Sequence, residues 1–214
     1  MIILLNETKG YTLSKFGGEF WDERYSKEEY VYGIKPNIYF KSQLDILKPG
    51  KILMLGEGEG RNAVYAAVKR WEVDAVDFSE IGKEKALKLA NENFVTLNYN
   101  VTDLMEYKFK SDYYDAVGNI FLHLHPSVRS IVHPGILNAL KKGGYLILEV
   151  FEKDQLGRAS GGPQNFEMLY SLEDLKSDFN KMKIHLLEKK IVKLEDGDHH
   201  KGEAVVLRLV AQKL

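Results

Sequence analysis

One stretch constrains what this chain can fold into: Lys51-Ile52-Leu53-Met54-Leu55-Gly56-Glu57-Gly58-Glu59-Gly60-Arg61-Asn62-Ala63. No polar side chain interrupts the run from Ile52 to Gly56, as in a strand covered on both faces. The run ends in Gly-x-Gly-x-Gly. A helical stretch follows, with Ala63, Val64, Ala66, Ala67 and Val68 on a period near 3.6. Strand, glycine-rich turn and helix open a nucleotide-binding α/β domain. Glycine lacks Cβ, so such a turn takes positive φ and lets a ligand approach the backbone.

Spacing narrows the ligand. A dinucleotide turn, Gly-x-Gly-x-x-Gly, needs a third glycine at position 61, which is Arg61 here; the third glycine comes early, at Gly60. No Gly-Lys-Ser/Thr follows, which excludes a P-loop. Glu57 and Glu59 place two carboxylates where a pyrophosphate would sit, so a cationic or zwitterionic nucleoside fits better. The next strand, Val73 to Val76, ends at Asp77, followed by Phe78 and Ser79. An acid there accepts hydrogen bonds from both ribose hydroxyls. Its structural alternative is an ordinary turn or cap acid.

These residues resemble class I S-adenosylmethionine-dependent methyltransferases. Leu55 to Ala63 and Val76-Asp77-Phe78-Ser79 carry the resemblance. Phe20-Trp21-Asp22-Glu23-Arg24-Tyr25 and Tyr32-Gly33-Ile34-Lys35-Pro36-Asn37 are similar to the tellurite-resistance and thiopurine-methyltransferase branch. The resemblance implies a Rossmann-like three-layer α/β sandwich, a mostly parallel seven-stranded sheet with an antiparallel C-terminal hairpin. It implies one methyltransferase domain over 1–214, with an arm and lid helices over about 1–47 and the core over 48–214. It implies S-adenosylmethionine as cofactor, S-adenosylhomocysteine as product, and a small-molecule acceptor such as a thiol, metalloid oxyanion or amine. One departure is Met54, where the class carries an acid two residues before the first glycine.

The implied cofactor residues are Trp21, Arg24 and Tyr25 in the lid; Gly56, Glu57, Gly58, Gly60, Arg61 and Asn62 in the turn; Asp77, Phe78 and Ser79 at the ribose; Thr102, Asp103 and Leu104 at the adenine; and Asn119, Ile120 and Phe121 past the fourth strand. His123 and His125 are candidates to accept the acceptor's proton. With His133 they also allow a weaker metal reading, without a recognisable ligand spacing. Loop histidines with purely structural partners are common, so each of these has that alternative.

The remaining pattern reads as a helix from Asn37 to Leu47, one from Glu80 to about Asn91 capped by Ser79, and a strand from Phe94 to Val101. Tyr113 to His123 reads as a fourth strand and its exit. Ser127 to Lys142 reads as a helix interrupted by Pro134-Gly135 and ending at Lys141-Lys142-Gly143-Gly144. Tyr145 to Phe151 is a fifth strand, followed by a glycine-rich loop with Arg158 and Gln164 as contacts on the acceptor side. Ser171 and Asp174 stand in capping-box register. Ile184 to Leu194 and Ala204 to Leu214 form the closing hairpin; His199 and His200 near its turn read as surface residues, with a pocket-facing His200 as the weaker alternative.

Composition removes other classes. Net charge is −1, which gives no electrostatic basis for nucleic-acid binding. There is no cysteine, hence no disulfide, thiolate nucleophile or cysteine zinc site. No apolar run reaches the ~20 residues that span a bilayer, and Met1 to Leu5 is too short for a signal peptide. A cytoplasmic monomer or homodimer is expected. Two other readings stay open: a non-catalytic S-adenosylmethionine-binding protein, which Met54 keeps open, and a nicotinamide-dependent oxidoreductase, which Arg61 and the acidic turn disfavour.

Overall fold

A computed structural model describes residues 17–197 and 199–214. The weakly patterned first residues, including Met1 to Leu5, lie outside the described residues. The elements in order are α1 Gly18–Tyr25, α2 Ile38–Leu44, β1 Lys51–Leu55, α3 Arg61–Val68, β2 Glu72–Asp77, α4 Glu80–Glu92, β3 Asn98–Val101, β4 Tyr114–Ile120, α5 Pro126–Ala139, β5 Leu140–Phe151, α6 Leu172–Asp178, β6 Met182–Glu195 and β7 Lys201–Lys213. One seven-stranded sheet has the order β3-β2-β1-β4-β5-β7-β6. Five strands are parallel, and β7 pairs antiparallel with both β5 and β6. This is the Rossmann-like sandwich that the sequence implies.

Strand alternation makes the layers. Leu53 and Leu55 of β1 pack with Val128, Val132 and Ile136 of α5 and Leu175 of α6. Ile52 and Met54 point to the other face, against Phe40 and Leu44 of α2, Ala63 and Ala66 of α3 and Ala86 of α4. Successive side chains on a strand alternate faces, so an uninterrupted apolar run requires cover on both sides. The order reverses between β1 and β4, which places the crevice for a ligand beyond their carboxyl ends.

Several boundaries differ from the sequence reading. Asn37 caps α2, accepting from Phe40 N at 2.8 Å, and the helix stops at Leu44. Helix α5 runs through Pro134 without a break and ends at Ala139. Lys141 to Gly144 then belong to β5, which reaches back to pair Leu140 with Tyr114. Basic residues before two glycines imitate a helix end, but the sheet recruits them. The third strand keeps only Asn98–Val101, because Phe94 turns at φ 57 and stands 96% exposed while Val95 N closes on Ala90 O. The glycine-rich loop is tied down: Gln155 donates to Ser160 Oγ and Gly161 O and accepts from Val205 N. Ser171 and Asp174 form the capping box.

Gly60 shows how tightly α3 and α4 meet. It has φ 90, and a Cβ there would lie 2.5 Å from the Ala86 Cβ and 2.8 Å from its Cα. Left-handed strain and overpacking therefore add. Gly60→Ala should lower the unfolding free energy by about 2–4 kcal/mol, read from urea denaturation midpoints at unchanged slope.

Candidate functional site

The site begins at the turn between β1 and α3. Gly56 and Gly58 have φ 60 and 58. Gly56 N donates to Val76 O at 2.8 Å, which lays the turn across the end of β2. Gly58 is held from two sides: its N–H donates to Asp77 Oδ2 at 2.9 Å, and its carbonyl accepts from Tyr99 Oη at 2.6 Å. A Cβ at Gly58 would stand 2.5 Å from the Tyr25 hydroxyl, so α1 reaches over the turn itself. Trp21 stacks on Tyr25 at 5.5 Å, and Arg24 lies over Phe20 and Trp21 while donating to Tyr32 Oη.

Asp77 closes β2. Its other oxygen accepts from Ser79 N at 3.0 Å, and burial raises its pKa against that pull. Each carboxylate oxygen keeps a lone pair beyond these bonds. Ser79 caps α4, accepting from Gly82 N, and donates to Asp22 of α1. Asp22 also accepts from Ile81 N, so a lid carboxylate is pinned at the α4 N-terminus. Phe78 contributes backbone: its carbonyl lies against Gly18.

The third strand's exit is next. Thr102 N donates to Asp77 O at 2.9 Å. Asp103 Oδ1 accepts from Met105 N in a local turn, and Leu104 points into the core. Leu104 therefore offers the site backbone only. At the end of β4, Asn119 is paired in register with Leu55. Its side chain is 0% exposed, and neither Oδ1 nor Nδ2 has a hydrogen-bond partner. A buried, unsatisfied amide costs about 1–3 kcal/mol, so this one calls for an explanation. Ile120 packs in the core, and Phe121 follows at φ 56.

Other expected residues have different work. Arg61 donates to Tyr32 O at 3.2 Å and pairs with Asp196 at 3.1 Å. Asn62 Oδ1 accepts from Asn37 N at 2.9 Å. Glu59, expected to shape the ligand's charge, accepts from Val31 N and pairs with Lys85. These three side chains anchor the segment between α1 and α2 and the β6–β7 turn. Glu57 Oε1 accepts from Asn62 N at 2.9 Å and Ala63 N at 2.7 Å, capping α3 from within the turn. Position 54, by contrast, is a fully buried methionine against Gly118.

The histidines correct the sequence reading most directly. His123 Nδ1–H donates to Phe121 O at 3.0 Å, while Nε2 accepts from Phe151 N at 2.8 Å. Burial pushes its pKa down to about 4, so it is a neutral strut with no lone pair left for a substrate proton. His125 caps α5, with Nδ1 accepting from Ser127 N. His133, on α5, donates to Asp178 at the end of α6 at 2.8 Å. Among the described residues no three metal-ligating side chains gather. Arg158 donates to Asp154 O in an exposed turn, and Gln164 is exposed.

His200, read as a surface residue, is buried. It packs on Tyr32 and Phe121 at 4.6 Å each and on Phe151 at 5.4 Å. Gly197 lies against Val31, which brings the hairpin turn over the crevice. The period-2 pattern of β6 and β7 stops before this turn, so only tertiary contact reveals it.

Burial raises the Glu57 pKa from 4.5 to about 7, against the pull of the Ala63 and Asn62 amides and Arg61. A raised folded-state pKa means that Glu57 destabilises the fold progressively as pH rises from about 4.5 to about 7, and by a constant amount above that. At about 1.4 kcal/mol per pH unit, the ceiling is ~3 kcal/mol. Glu57→Gln should therefore gain stability relative to the parent chain across this window. Chemical denaturation of both proteins from pH 4 to 8 reads the difference, and a difference independent of pH would remove the assignment.

The family model described as tellurite resistance protein TehB matches residues 21–212. No curated protein matches. TehB from Haemophilus influenzae is 15% identical, with a TM-score of 0.70 over 92% of this chain and 67% of that one. The 1,6-didemethyltoxoflavin-N1-methyltransferase of Burkholderia thailandensis, solved with S-adenosylhomocysteine, is 19% identical, with a TM-score of 0.61 over 82% and 78%. A S-adenosylmethionine-dependent methyltransferase from Methanosarcina mazei is 18% identical, with a TM-score of 0.61 over 79% and 95%. The structural likenesses carry the fold, the family match spans nearly the whole chain, and the chain accordingly belongs to the TehB family of class I S-adenosylmethionine-dependent methyltransferases.

Proposed function

We propose that this methyltransferase is a cytoplasmic monomer or homodimer that alkylates a small-molecule acceptor, a thiol, metalloid oxyanion or amine, rather than a nucleic acid. The observation that carries the cofactor's place is the Asn119 amide, fully buried and unpartnered beside the glycine turn. When bound, the cofactor supplies a methyl group made electrophilic by a sulfonium. Asp77 would accept from the ribose hydroxyls with its free lone pairs. Asp103 and the backbone of Thr102 and Leu104 would flank the adenine. Glu57 would supply the negative charge that Met54 lacks for the methionine ammonium. Gly56 and Gly58 allow the ligand to lie on the backbone, and Tyr25, Trp21 and Arg24 would cover it.

The acceptor side is supported by the rings of Tyr32, Phe121 and Phe151. A net charge of −1 gives no overall electrostatic attraction to a phosphate backbone. No described helix is long and apolar enough to cross a membrane. The Burkholderia thailandensis protein, which holds a heterocyclic small molecule, offers a parallel of the same fold. Orienting nucleophile, methyl carbon and sulfur in line can supply ~7–11 kcal/mol, so a soft or ionised acceptor needs no base.

Isothermal calorimetry with S-adenosylmethionine and S-adenosylhomocysteine tests the reading; micromolar binding of both is expected. Asp77→Asn should weaken both by about tenfold or more, since hydrogen bonds to a charged group are worth ~1.5–3 kcal/mol. Asn119→Leu should stabilise the ligand-free chain by removing an unsatisfied buried amide, and weaken the cofactor. Thermal melts with and without cofactor separate the two effects. A destabilised N119L protein with full cofactor affinity would show that the amide serves the fold instead.

A further inference from the structure

His200 is a buried titratable group that the cofactor site leaves unused. Its Nδ1 is shielded from solvent and has no hydrogen-bond partner. Four parts of the chain converge on it. Tyr32 comes from the segment after α1, Phe121 from the exit of β4, Phe151 from the end of β5, and Gly161 from the loop beyond. Phe121 stands two residues past Asn119, so the ring contact joins His200 to the wall of the cofactor crevice. The backbone fixes the turn that carries it: Asp196 N donates to His200 O at 2.9 Å.

Burial is the main obstacle to a charge on His200, and Arg61 from α3, the neighbouring imidazoles of His123 and His199, and Arg24 from α1 add to it. Asp196 faces Arg61 and neutralises it. The imidazole is therefore neutral at physiological pH and ready to accept. A weak base suffices here. As an O–H nucleophile gains carbon, its remaining hydrogen becomes far more acidic than an imidazolium, and aromatic walls keep water from taking it.

We propose that His200 Nδ1 is the catalytic proton acceptor of the transfer and that the acceptor is a small protic molecule bearing a hydroxyl. The proposal rests on the methyltransferase reading above and adds hydroxyl compounds to its acceptor classes. The balance is simple. The nucleophile–carbon bond forms, the carbon–sulfur bond breaks with its electron pair left on sulfur, and the proton passes to Nδ1. A thiolate or metalloid oxyanion that arrives ionised needs none of this, so a free buried lone pair would serve it no purpose.

Two readouts decide it. In ¹⁵N-histidine NMR at pH 7, with the signal identified by its loss in His200→Asn, the ring should be neutral with Nδ1 unprotonated. An Nδ1–H tautomer or an imidazolium overturns the proposal, whatever the acceptor. With catechol as probe, H200N should lose ~10²–10⁴ in turnover at pH 7 and regain it as pH rises towards ionisation of the probe itself. A loss of the same size at every pH, or none, contradicts it. If catechol is not turned over by the parent chain, the tautomer alone decides. Calorimetry of S-adenosylmethionine on the same samples reports the underlying reading separately: absent binding to the parent chain sinks that reading, while unchanged binding in H200N localises the defect to the acceptor side.

Discussion

The grip on Gly58 is the contact on which the rest of the site depends. Its N–H is held by Asp77 from the end of β2 and its carbonyl by Tyr99 from β3. Two bonds from two neighbouring strands fix a residue at φ 58 that would otherwise have many conformations. Burial makes the Asp77 carboxylate costly to ionise, and backbone N–H donors offset that cost. The same carboxylate that shapes the turn is the one proposed to meet the ribose. Turn and ligand site are thus one construction.

A second construction closes the crevice from above. The segment between α1 and α2 has little secondary structure of its own. It is held by side chains from α3 and the turn: Asn62 on Asn37, Arg61 on Tyr32, Glu59 on Val31. Asn37 also donates to Glu149, which pairs with Arg208. A buried ionic group left without its partner is strongly destabilising, so this network fixes where the segment lies. The β6–β7 turn joins through Asp196 and Gly197. Tyr32 and His200 meet because both of their backbones are anchored to α3 or to each other's segment.

Much of this was legible in the sequence because it is local. The apolar run of β1, the three glycines, the acid ending β2 and the Ser171 capping box each depend on residues a few positions apart. What was not legible depends on distant contact. Lys141 to Gly144 look like a helix end by local rule, yet Tyr114 pairs with Leu140 and draws them into the sheet. Arg61 and Asn62 belong to the motif, but their side chains turn to partners about 25–135 residues away in sequence. His123 had the right place for a base, and only its two backbone bonds disqualify it. His200 lies next to another histidine in a turn, a pattern that reads as exposed.

The central claim is that a nucleoside sulfonium lies on the Gly56–Gly60 turn with its ribose on Asp77 and its far end beside Asn119. A crystal structure of the complex with S-adenosylhomocysteine tests it most directly. The account predicts ligand density along that turn, both Asp77 oxygens within hydrogen-bond distance of the ribose hydroxyls, and a partner for the Asn119 amide. Density that leaves Asp77 and Asn119 as they stand in the free chain would contradict it.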